Sequence, residues 1–132
     1  NNYQDSPVGD VLIHLAEDNR LTKPTNKLNP KDEKVFLNTL TSLSKNKYSR
    51  IVYASSGALY GDATKNPHRP EDEVFIDSSY TRMKYLAENV MTSSKNGIIA
   101  RLGNVYGFGM SRSNVLSRLL EQQGYLFHQK VI

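Results

Sequence analysis

No cysteine occurs among the 132 residues. That single absence excludes a disulfide scaffold, a zinc–thiolate site and a cysteine nucleophile together. No apolar run approaches the roughly 18 residues that a membrane helix needs. Nothing at Asn1 resembles a basic-then-apolar leader. Charge of one sign is also scarce. The net charge is only +4, and Lys and Arg are scattered with no run of five. A nucleic-acid binder concentrates such charge on one face or helix, so the expectation is a solvated surface that tolerates a phosphate-bearing substrate, with no nucleic-acid and no membrane partner. The absence of Cys fits a cytoplasmic protein.

What remains is an ordinary globular composition, 38% hydrophobic and 23% charged, far from the low-hydrophobicity, high-charge corner of disorder. The length suits one domain or a piece of a larger one. Val11 to Ala16 is a short apolar run, the pattern of a strand buried on both faces. Pro30 and Asp32 open a helix to about Lys45, with Val35, Phe36, Leu40 and Leu43 as its apolar stripe. Ile51 to Ala54 is a second strand ending in the small residues Ser55-Ser56-Gly57-Ala58. A long polar loop follows, then a helix from about Ser79 to Ser94 with Tyr80, Met83, Leu86, Ala87, Val90 and Met91 along one side. Asn96-Gly97 stop it, Ile98 to Leu102 read as a third strand, and Gly103 to Gly109 form a Gly-rich turn. Asn114 to Gln123 is a third helix, and Tyr125 to Phe127 would begin a fourth strand.

Strands alternating with helices at this spacing imply a parallel sheet with crossover helices. Ligands in such sheets sit beyond the carboxyl ends of the strands. Three unusual segments lie at those ends: His14 to Glu17, Ser55 to Gly61, and Gly103 to Gly109. One shared site explains them better than three accidents. His14 itself reads as a packed structural histidine, and Tyr60 as a loop or pocket-wall aromatic.

Tyr80 and Lys84 are four apart on a helix and so share a face. The spacing alone also fits a half-buried Tyr beside a solvated Lys. A tyrosine phenol ionises near pH 10, so its use as a base at pH 7 forgoes about three units, or ~4 kcal/mol. A neighbouring ammonium favours the phenolate. Ser56, ending a neighbouring strand, can hold the same substrate hydroxyl in orientation.

The order of these pieces resembles the extended short-chain dehydrogenase/reductase family, the NAD-dependent nucleotide-sugar epimerases and dehydratases. The matching segments are Asp10 to Ala16, Tyr53 to Gly61, Pro70-Glu71-Asp72, Tyr80 to Glu88 and Arg101 to Gly107. They look most like the UDP-glucose 4-epimerase branch. The resemblance implies a Rossmann-like, doubly wound parallel sheet and a nicotinamide cofactor, NAD with NADP as the alternative. It implies Tyr80 as acid/base, Lys84 as its partner and ribose ligand, and Ser56 as the hydroxyl-orienting group. Cofactor contacts fall on Leu15, Ala16, Ala54, Ser55, Tyr80 and Lys84. Substrate contacts fall on Ser56, Asn104 and Asn114. No metal is called for, because the cofactor carries the redox step.

Departures from the family pattern are as informative. The dehydratases follow the serine with an Asp-Glu pair, and here Gly57 and Ala58 stand there, which argues against elimination chemistry. Thr81 and Met83 follow Tyr80 in place of the usual Gly and Ser, Phe108 stands where Pro is frequent, and the first helix lacks the usual Asn-x-x-Gly-Thr. The glycine fingerprint G-x-x-G-x-x-G is absent from the chain. The sequence therefore reads as the middle of such an enzyme: residues 1–132 form a partial NAD(P)-binding domain without its first βαβ unit, with the substrate-binding region starting from about 104 and mostly missing. By itself it would bind NAD weakly and be inactive. Competing readings are an NADP-linked nucleotide-sugar reductase or dehydrogenase, and a family member retained as a non-catalytic binding module. Family relatives also pair as homodimers through the helices corresponding to 31–45 and 79–94, where Val35, Leu43, Leu86 and Val90 would contribute.

Overall fold

A computed structural model describes residues 9–15, 29–61, 67–110, 112 and 114–122. They belong to two compact units dividing between Leu102 and Gly103. In the larger unit three parallel strands, β1 (Val11–His14), β2 (Arg50–Ser56) and β3 (Gly97–Leu102), form a sheet in that spatial order. Helix α1 (Pro30–Ser44) connects the first pair and α2 (Ser79–Thr92) the second. The architecture is α/β, a partial Rossmann-like sheet as the element order implied.

Local chemistry sets each boundary. Asn29 caps α1 by accepting from the Lys31 amide at 3.0 Å, Pro30 occupies the first turn, and Asp32 and Glu33 complement the helix N-terminus. Gly97 is required where α2 hands over to β3. A methyl group there would collide with the Met91 carbonyl oxygen.

The core lies between the helices and one face of the sheet. Leu40 and Leu43 from α1, Ala87 and Met91 from α2, Ile51 and Tyr53 from β2, and Tyr48 just before β2 are its buried members, with Leu12, Phe36, Val90 and Ile99 packed around them. Strand alternation sends Val11, Ile13, Ile98 and Leu102 to the other face, where all four are exposed. This corrects the reading of β1 as a strand buried on both faces and running to Ala16. It ends at His14, and Val11 and Ile13 are 54% and 61% exposed. A continuous apolar run fits a doubly covered strand, but here helices cover only one face among the described residues.

Two helix stripes are also redrawn. Val35 is exposed, and the buried line of α1 runs through Leu40 and Leu43. On α2 the innermost positions include Thr81, Lys84 and Glu88 beside Met83, Ala87 and Met91, so the side against the sheet is half polar. Helix α2 ends at Thr92, two residues earlier than its apolar pattern suggested.

The smaller unit contains α3 (Val115–Gln122). Asn114 caps it, its side-chain oxygen accepting from the Leu116 amide at 3.0 Å and its Nδ2 donating to the Val105 carbonyl at 2.8 Å. Leu119 on this helix is half exposed. The anticipated strand at Tyr125 to Phe127 lies outside the described residues. No helix among the described residues is long and apolar enough to cross a membrane.

Candidate active site

Parallel pairing puts the carboxyl ends of β1 and β2 side by side, with His14 opposite Tyr53. The end of β2 lies opposite β3, Ser55 against Arg101 and Ser56 against Leu102. Ser56 closes β2 and its hydroxyl accepts from the Ala58 amide at 3.2 Å, starting a 3-10 turn over Gly57–Tyr60. Gly61 ends that turn at φ +66, a left-handed conformation suited to glycine.

Tyr80 sits in the first turn of α2. That turn is pinned by a capping box: Ser78 accepts from the Thr81 amide at 3.1 Å, and the Thr81 hydroxyl accepts from the Ser78 amide at 3.0 Å. The Thr81 hydroxyl also donates to the Asp77 carboxylate at 3.0 Å. Thr81, a departure from the family pattern, thus has a local structural explanation.

Lys84 lies one turn further along, 7% exposed. Its Nζ donates to the Ala54 carbonyl at 2.8 Å and stands 5.7 Å from the centre of the Tyr80 ring and 5.1 Å from that of Tyr53. The predicted Tyr–Lys row therefore faces the end of the strand that carries Ser56. Two of the anticipated cofactor contacts, Ala54 and Ser55, are engaged with α2: the Ala54 carbonyl with Lys84, and the Ser55 hydroxyl with Glu88 at 2.6 Å. His14 is buried with its ring centre 5.8 Å from that of Tyr53, packed within the fold. Leu15 is exposed just past β1, and Ala16 lies outside the described residues. Asn104 is exposed in the smaller unit, and Asn114 caps α3 through its side-chain oxygen while its Nδ2 donates to the Val105 carbonyl.

Sequence reasoning overlooked the polar cluster behind this row. The Glu88 carboxylate is buried and receives Arg101 Nε at 2.9 Å and Nη2 at 2.8 Å. Arg101 also donates to the Pro70 carbonyl at 3.2 Å and lies 4.7 Å over the Tyr60 ring, which in turn stacks on His68 at 4.7 Å. Hydrogen bonding to Glu88 holds the Arg101 guanidinium above its already high ordinary range, so it remains a cation. A signal existed: Glu88 continues the i, i+4 row of Tyr80 and Lys84, and Arg101 interrupts an apolar strand.

The residues present fit the nicotinamide end of a dinucleotide. An ammonium and a phenol share one helix row at the carboxyl end of a parallel sheet, where such ligands sit. The phosphate-cradling G-x-x-G-x-x-G spacing does not occur in the sequence, and the Gly-rich turn Gly103 to Gly109 lacks it.

A model of the NAD dependent epimerase/dehydratase family matches residues 5–125. Among solved structures, the chain is similar to the crystal structure of "a putative epimerase from Burkholderia cenocepacia J2315", with a TM-score of 0.60 and 22% sequence identity. That likeness covers 88% of this chain and 39% of the other, and at this identity it speaks for the fold. No protein of curated function matches. The family match spans nearly the whole sequence and agrees with the parallel β/α order of the larger unit, so this chain belongs to the NAD dependent epimerase/dehydratase family.

Proposed function

We propose that the chain carries the acid/base centre of an NAD-dependent nucleotide-sugar epimerase. The observation behind this reading is the row on α2, where Lys84 Nζ lies 5.7 Å from the Tyr80 ring and is tied at 2.8 Å to Ala54, two residues before Ser56. When bound, the nicotinamide supplies the hydride acceptor that no side chain of this protein can provide. Tyr80 takes the proton of the sugar hydroxyl as its carbon is oxidised, and returns a proton when the carbon is reduced from the other face. Lys84 favours the phenolate by its charge and holds the nicotinamide ribose. Ser56 orients the hydroxyl, while Gly57 and Ala58 offer no group for a dehydratase's elimination.

In this reading residues 1–132 are a portion of the cofactor domain and catalytic centre, with substrate contacts at Asn104 and Asn114 from the start of a substrate region. NAD is the preferred cofactor, the compartment is the cytoplasm, and the homodimer face lies on α1 and α2 with Val35, Leu86 and Val90 contributing; Leu43, also expected there, is instead buried in the core. The test is turnover of UDP-sugars by the full natural chain. Tyr80→Phe should lower kcat by a factor of roughly 100 or more with NAD affinity nearly unchanged. Unchanged turnover would remove Tyr80 from the mechanism. A requirement for stoichiometric NADPH would identify a reductase instead. Lacking a phosphate cradle, the 132-residue chain by itself should show no micromolar NAD binding by calorimetry.

A further inference from the structure

We propose that the buried Glu88–Arg101 pair is the positioning element that sets Ser56 against Tyr80; the inference rests on the functional reading above. Glu88 is only 4% exposed, and a carboxylate so placed is costly unless it is paired and hydrogen-bonded. Holding a helix to a sheet does not require it. Ala87 and Met91, on the same side of α2, already do so by apolar contact, and apolar replacements for buried ion pairs are often as stable or more so. What the pair adds is direction.

Both carboxylate oxygens are committed. Oε1 accepts from Ser55 Oγ at 2.6 Å and Arg101 Nε at 2.9 Å, and Oε2 accepts from Arg101 Nη2 at 2.8 Å. A fork-to-fork pair with an added hydroxyl donor fixes α2 along the strand as well as against it. Its recipients flank the proposed chemistry. Ser55 precedes Ser56, and Glu88 stands two turns beyond Tyr80 and one beyond Lys84 on the same row. The remaining surface of the guanidinium secures the chain after β2, through the Pro70 carbonyl at 3.2 Å and the Tyr60 ring. One cation thereby ties β3, α2, the end of β2 and Pro70 into a single frame.

The experiment uses the full natural chain with Ser55→Ala, Glu88→Gln and the control Tyr80→Phe. Ser55→Ala removes only a hydroxyl and serves if Glu88→Gln does not fold. Both variants should lose roughly tenfold or more in kcat with KM for the nucleotide sugar within about twofold, and Glu88→Gln should keep NAD affinity within about twofold. Amide hydrogen exchange over residues 56–61 should quicken in both while α1 is unchanged. Wild-type kcat in the folded variants, or unchanged exchange over 56–61, overturns the proposal. If the wild type shows no turnover, or Tyr80→Phe retains it, the epimerase reading falls. The exchange measurement still decides the clamp, quickened exchange upholding it and unchanged exchange overturning it.

Discussion

Lys84 donates to the backbone carbonyl of Ala54 at 2.8 Å, reaching from α2 to the strand that ends in Ser56. The bond explains how a lysine can be almost buried on the sheet side of a helix. Its ammonium lies over the Tyr53 ring, 5.1 Å from the ring centre, and meets an acceptor fixed by the sheet.

Replacing Lys84 by Met keeps the stem and deletes the donor. Hydrogen bonds from charged groups are worth about 1.5–3 kcal/mol, so Lys84→Met should lower unfolding free energy by an amount in that range in urea titration. Within the epimerase reading it should also weaken NAD binding. A variant as stable as wild type would mean that the ammonium contributes nothing to fixing α2 on β2.

Thr81 anchors the turn that presents Tyr80. Its hydroxyl accepts from the Asp77 and Ser78 amides at 3.2 and 3.0 Å and donates to the Asp77 carboxylate at 3.0 Å. Thr81→Ala should cost about 1 kcal/mol in thermal or urea unfolding, the usual penalty for a lost cap. A neutral result would show that the Ser78 cap alone suffices.

Gly97 leaves no room for a side chain against the end of α2. A Cβ there meets the Met91 carbonyl, whereas one at Gly103 meets nothing within 4 Å. Gly97→Ala should destabilise by roughly 1–3 kcal/mol as an overpacking change, and Gly103→Ala should be nearly neutral. Equal midpoints for the two variants would contradict the packing at the α2–β3 junction.

Most elements were legible in the sequence because their signals are local. Pro30 after Asn29 opens α1, Asn96-Gly97 lie at the passage from α2 into β3, and the apolar runs at Ile51 and Ile98 lie on strands. The Tyr80–Lys84 row was legible because a helix of known period puts residues four apart on one face. Sequence by itself thus determined the alternation of strand and helix, the parallel sheet and the family. The tertiary structure decided which faces are covered and what the polar residues meet. Val11 and Ile13 are as apolar as Ile51, yet are exposed because both helices pack on the opposite face among the described residues. Arg101 and Glu88 lie 13 residues apart and Ser55 a further 33 from Glu88. No local pattern brings a carboxylate, a guanidinium and a hydroxyl to one buried point. That meeting exists only once α2 has crossed from β2 to β3, because the desolvated carboxylate then needs every donor the sheet can supply.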